Sequence, residues 1–145
     1  STVTDSGYIY IFTPTETKGQ VSIIRNLAYS GDLINAINND IESEYIPNAF
    51  SLSQDFTADR DMGTLNNTNR ESFTIFGNGK SISRGANAGI TVNSGDTLNI
   101  DSVAGFSGTS DYAINNSGTL NLTGTNSIDK ITDSSNNGTT NVTSG

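Results

Sequence analysis

The densest group of residues able to do chemistry lies in Gln54-Asp55-Phe56-Thr57-Ala58-Asp59-Arg60-Asp61, where Asp55, Asp59 and Asp61 bring three carboxylates close together. Two carboxylates facing each other across a glycosidic bond could share the acid, base and nucleophile roles of sugar cleavage. Several such oxygens could also hold Ca²⁺. The cluster sits in a polar stretch with Arg60 as a local partner, so it reads as a solvated loop rather than an assembled site. Asp101 and Asp111, separated by a Gly/Ser-rich loop, read as turn formers.

Composition removes most other chemistries. The chain of 145 residues has no Cys and no His. That excludes disulfides, zinc-thiolate sites, thiol nucleophiles, Ser-His-Asp triads and imidazole bases. No cofactor and no metal is expected. Gly77-Asn78-Gly79-Lys80-Ser81 lacks the Gly-x-x-x-x-Gly-Lys spacing of a phosphate loop because residue 74 is Thr, and it reads as a tight turn between strands. Asn66, Asn115, Asn121, Asn137 and Asn141 match Asn-x-Ser/Thr, as chance dictates in so Asn- and Thr-rich a chain. A net charge of -8 opposes binding to nucleic acid or an anionic membrane surface. No apolar run approaches the roughly 18 residues of a membrane span, and no basic-then-apolar leader opens the chain, so the expectation is a mature or trimmed protein without membrane insertion of this segment.

The elements that position these residues must be thin. Hydrophobic residues are only 32% of the chain, while Asn, Ser and Thr number 19 each and Gly 15, half of all positions. These types are middling or poor helix formers, which leaves disorder or a turn-rich β architecture. Spacing decides between them. Short apolar doublets recur at Phe73-Thr74-Ile75, Leu98-Asn99-Ile100, Leu120-Asn121-Leu122 and Thr140-Asn141-Val142, with offsets of 25, 22 and 20 residues. A weaker copy stands upstream at Phe50-Ser51-Leu52. Similar text precedes the two middle copies, Asn93-Ser94-Gly95-Asp96-Thr97 and Asn116-Ser117-Gly118-Thr119, and Asn137-Gly138-Thr139 precedes the last.

Repeats of this length with period-2 alternation predict a solenoid whose coils stack on their neighbours. Phe73/Ile75, Leu98/Ile100, Leu120/Leu122 and Thr140/Val142 then point inward. Ile82, Ile90 with Val92, Ala113 with Ile114, and Ile128 with Ile131 supply the other walls. A coil of this size buries five or six side chains, so low hydrophobicity is what the fold requires. Leucine-rich repeats share the period but need more leucines; a parallel β-helix fits better.

An open solenoid end invites aggregation and calls for a cap. Residues 30–43 place Leu33, Ile34, Ile37 and Ile41 on one stripe behind a Ser30 or Asp32 N-cap, predicting an amphipathic helix over about 31–42 that lies on the first coil. Tyr8-Ile9-Tyr10-Ile11-Phe12 and Val21-Ser22-Ile23-Ile24 are β-rich and suit a small cap sheet. Thr143-Ser144-Gly145 shows no such cap. The expected layout is a cap over 1–45 and β-helix coils over 46–145, the start of a longer solenoid.

The helix, then Phe73-Thr74-Ile75-Phe76-Gly77-Asn78-Gly79-Lys80-Ser81-Ile82, Gly89-Ile90-Thr91-Val92 through Leu98-Asn99-Ile100, and Ala113-Ile114 through Leu120-Asn121-Leu122, resemble the start of pectin-lyase-like right-handed parallel β-helices. More narrowly, they are similar to passengers of bacterial autotransporter adhesins, including the polymorphic outer-membrane-protein group. Asp111-Tyr112-Ala113-Ile114 stands where that group has Gly-Gly-Ala-Ile. The resemblance covers residues 30–145 and implies an all-β, right-handed parallel β-helix at the bacterial cell surface or outside the cell. It also implies adhesion or self-association. Lyases of this family need a basic residue beside their calcium acids, and here Lys80, Arg84 and Lys130 are scattered, so no enzyme is expected.

The expected function is a non-enzymatic adhesin or passenger stalk that binds a glycan or protein of a host or neighbouring cell. The alternative is a structural subunit that assembles with itself into filaments; a polysaccharide lyase or hydrolase ranks behind both. The candidate binding surface is the outward column of the strands: Thr74, Thr97, Asn99, Thr119, Asn121, Thr139 and Asn141. Stacked at about 4.8 Å, these form a flat polar ladder.

Overall fold

The computed structural model describes residues 2–5, 8–17, 20–29, 32–41, 46–133 and 138–143. Ser30 as a helix cap, the expected helix end at residue 42, the turn residue Asn137 and the uncapped residues 144–145 lie outside these. The chain is nearly all β, with one short helix, and forms a parallel β-solenoid of about four turns.

Each coil has three sides. The long sheet carries β4 (Ala49–Ser51), β6 (Phe73–Phe76), β9 (Thr97–Asp101), β12 (Thr119–Thr123) and β14 (Thr139–Thr143). The second holds β5 (Phe56–Thr57), β7 (Ser81–Ser83) and β10 (Gly105–Ser107), and the third β8 (Ile90–Val92), β11 (Ile114–Asn116) and β13 (Ile131–Asp133). All pairings between coils are parallel. Single bridges, Thr64 to Thr91 and Phe106 to Ile128, extend the third sheet to the first coil and the second sheet to the fourth.

Register follows the apolar doublets. Phe73 pairs with Leu98 and Ile75 with Ile100, then Leu98 with Leu120 and Ile100 with Leu122. Phe50 stands level with Ile75, so the upstream copy keeps its inward parity. The inward residues form one core with Ile82, Ile90, Val92, Val103, Phe106 and Ile114, all 0–1% exposed. Val142 departs from the expectation. It is in register with Leu122 on the inward side, yet it is 69% exposed, because no described strand covers that side of β14.

The helix is shorter than its apolar stripe predicts. α1 spans Leu33–Asn38, opened by Asp32, whose Oδ1 accepts from the backbone N–H of Ile34 and Asn35. It stops at Asn39, which takes a left-handed φ of 57° and returns its N–H to Ala36 and Asn35 carbonyls. Leu33, Ile34, Ala36 and Ile37 are buried in the core with Phe50, Leu52, Met62 and Leu65, so the helix lies over the first coil. The β-rich N-terminal segments do not form a separate cap sheet. β1 (Thr2–Asp5), β2 (Tyr8–Thr17) and β3 (Gln20–Tyr29) pair antiparallel, and β3 joins β4 in parallel, so they extend the long sheet.

Candidate binding surface

The outward column of the long sheet is built by register alone. Strand alternation sends Leu98, Ile100, Leu120 and Leu122 inward, which leaves Thr97 and Asn99, and Thr119 and Asn121, on the outer face. Parallel pairing then sets Thr97, Thr119 and Thr139 level with one another, and Thr74, Asn99, Asn121 and Asn141 likewise.

The second column is a continuous amide ladder. Asn99 Nδ2 donates to Thr74 Oγ1 at 3.2 Å, Asn121 Nδ2 to Asn99 Oδ1 at 2.8 Å, and Asn141 Nδ2 to Asn121 Oδ1 at 2.9 Å. Asn99 and Asn121 each spend one N–H and one lone pair along the solenoid axis, and Asn141 one N–H. Their remaining donor and acceptor capacity is left for the outer side. Toward the first coil the column reaches Ala49, whose small side chain leaves a shallow depression of about 180 Å³ between Asn48, Ser72, Thr74 and Phe76.

The carboxylate cluster is dispersed by the fold. Asp55 Oδ1 accepts the N–H of Ser81 at 3.0 Å and Asp61 Oδ1 that of Ala88 at 2.8 Å, each tying the first coil to the second. Asp59 pairs with Arg60 at 2.7 Å, and Arg60 also reaches Asp32 at 3.2 Å. Thus the three acids serve backbone donors and a surface pair. Asp101 ends β9 and accepts from Ser102 Oγ at 2.6 Å, whereas Asp111 is exposed. Among the described residues no group of acids could hold a metal ion. No helix among them is long and apolar enough to cross a membrane. Asn78 and Gly79, with φ of 52° and 77°, make the tight turn expected between β6 and β7.

Three features escape a reading of the sequence. Arg84 is fully buried; it donates to the carbonyls of Asn87 at 3.1 Å and Ser110 at 3.2 Å and to Ser110 Oγ, while its Nε has no partner. Arg70 lies with its guanidinium 4.5 Å from the Phe73 ring and donates to the carbonyls of Pro47 at 2.7 Å and Ile37 at 2.9 Å. Burial pulls its pKa down to about 10 against the opposing pull of Asp96.

The third feature is an open polar depression of about 370 Å³ beside the end of α1, lined by residues of the first two coils. It arises at the corner between the third sheet and the long sheet. With Thr64 level with Thr91 and Phe73 with Leu98, that corner comprises residues 66–71 in the first coil, 93–96 in the second and only Ser117-Gly118 in the third. A Cβ on Gly118 would strike the carbonyl oxygens of Asn93 and Asp96, so glycine lets the shortest corner tuck under its neighbour. The offsets between repeats signal only the shortening from the second corner to the third, since β4 to β6 and β6 to β9 are spaced alike.

No protein-family model, curated protein or solved structure matches this chain.

Proposed function

We propose that this chain is a non-enzymatic, secreted or cell-surface β-helix module of the adhesin or autotransporter-passenger kind, related in architecture to pectin-lyase-like β-helices. It presents the outer face of its long sheet to a glycan or protein of a host or neighbouring cell. The observation that carries the reading is the hydrogen-bonded column Thr74, Asn99, Asn121 and Asn141 beside the level threonines Thr97, Thr119 and Thr139. These two columns carry no charge and repeat at strand spacing, so an extended partner could meet them at several coils. The dispersal of Asp55, Asp59 and Asp61 onto backbone donors and Arg60 leaves them unsuited to paired carboxylate catalysis. A glycan array probed with the chain and with a Thr97→Lys/Thr119→Lys/Thr139→Lys variant tests the proposal. Binding that the triple variant loses is expected. Unchanged binding, or cleavage of acidic polysaccharide in the presence of Ca²⁺, overturns it.

Val142 favours a second reading, a subunit that assembles with itself. Its inward register and 69% exposure leave an apolar position that the edge of a second copy would bury. Electron microscopy at rising concentration separates the two readings: ordered filaments support assembly, and dispersed particles support the binding module.

A further inference from the structure

We propose that the depression at the corner of the first two coils is a second binding site, distinct from the long-sheet face, and that it takes a neutral saccharide through its hydroxyl groups.

The floor of this depression is already fixed. Asn38 Nδ2 donates to the carbonyls of Ile34 and Met62, both at 2.8 Å, and its Oδ1 accepts from Thr64 N at 3.1 Å. Asn67 Nδ2 donates to Thr97 O at 3.1 Å, and its Oδ1 accepts from Arg70 Nε at 3.3 Å. These amides join the end of α1, the first coil and the second coil, so a ligand would meet a preformed shape and would not have to order it.

The rim, by contrast, holds unspent groups. Asn66 accepts from Thr68 N through Oδ1, but its Nδ2 has no acceptor among the described residues. The side chains of Thr68, Asn93 and Asp96 make no hydrogen bond among the described residues, and Asn66, Thr68 and Asn93 are exposed. Together they offer amide N–H donors, an amide acceptor, a hydroxyl that does both, and a carboxylate that only accepts.

Charge and polarity narrow the ligand. A chain of net charge -8 with Asp96 on the rim repels phosphates and sulfated groups. Leu65, the apolar lining residue, is 1% exposed and the lining is mainly polar, so an apolar ligand finds little surface to cover. What remains is an uncharged molecule dense in hydroxyls. One Asn amide can donate to one hydroxyl and accept from its neighbour, and one carboxylate can accept from two. With no aromatic platform in the lining, affinity on the order of millimolar is expected.

Titration of the ¹⁵N-labelled chain with methyl α-D-mannopyranoside and with methyl β-D-galactopyranoside tests the proposal. Saturable shifts are expected at the side-chain amides of Asn66 and Asn93 and the backbone of Asp96, with at least one of the glycosides. An Asn93→Ala/Asp96→Asn variant should weaken that binding at least tenfold. Thr68→Val probes the same rim from the first coil and leaves the Asn93–Asp96 turn intact. A Thr139→Lys/Asn141→Lys variant, altered only at the β14 end of the long-sheet face, should bind as the parent does, so failure at the long-sheet face and failure here are told apart. No saturable shift with either glycoside, or binding indifferent to both rim variants, overturns the proposal.

Discussion

Asn121 both donates to Asn99 and accepts from Asn141, whereas Asn141 makes only the donor bond of the ladder and is exposed. A net hydrogen bond contributes about 1 kcal/mol, so Asn121→Ala is expected to lose about 1–2 kcal/mol of stability and Asn141→Ala under about 0.5 kcal/mol, read from urea midpoints at constant m. Equal losses would mean that the ladder contributes nothing beyond strand propensity. The column itself was legible because Thr-Leu-Asn recurs at repeat spacing, and once Leu points inward its neighbours point outward. Arg84 was not legible as a core residue, since a charged type in a polar sequence reads as surface. The signal that could have found it is its step of two from Ile82, the inward residue of β7. Truncation by Arg84→Ala leaves a cavity and strips three charge-assisted bonds, with an expected loss of about 3 kcal/mol or more in the same assay. Arg84→Met keeps the apolar stem and removes a buried charge whose Nε is already unpaired, so it is expected to lose less than half as much.

At the scale of elements, α1 holds its place through its two ends rather than through length. Six residues are too few for an isolated helix to persist in water, so packing and capping must supply the stability. Asp32 caps the start and pairs with Arg60; Arg70 donates to Ile37 O near the other end and to Pro47 O before β4. Asp32→Ala is expected to cost about 1 kcal/mol from the lost cap, with little from the exposed Arg60 pair, so Arg60→Ala alone should cost less than about 0.5 kcal/mol. Thermal melts of the two variants check this order, and the reverse order would make the ion pair the principal contact. The helix was legible from the stripe of Leu33, Ile34 and Ile37, but the stripe does not choose between Ser30 and Asp32 as its cap. Its end was not legible, because Asn39 closes it through a left-handed conformation that apolar periodicity does not encode. The fate of β1–β3 was hidden for a different reason. Strand propensity marks them as β but says nothing about which edge they join, and that choice depends on the pairing of Ala28 and Tyr29 with Ala49 and Phe50.

For the whole molecule, the solenoid makes stability a matter of neighbours, since each coil packs only on the coils beside it. Leu98 is fully buried between Phe73 and Leu120, whereas Leu122 is 9% exposed and faces Val142, itself 69% exposed, on one side. The same truncation therefore has different consequences along the axis. Leu98→Ala removes contacts to two packed coils and is expected to cost about 3–5 kcal/mol, while Leu122→Ala, whose neighbour Val142 is itself exposed, should cost less than half of that. A gap at Leu98 also divides the core, leaving β12 and β14 to be held by one weakened interface. Hydrogen exchange on the Leu98→Ala variant should then show the amides of β12 and β14 opening before those of β6, which stays paired with β4 of the first coil. Uniform acceleration across β6, β9 and β12, together with equal costs for the two leucines, would mean that the stack unfolds as one cooperative unit. In that case the coils could not be treated as additive layers, and an additional coil packed on Val142 would stabilise β6 as much as β12.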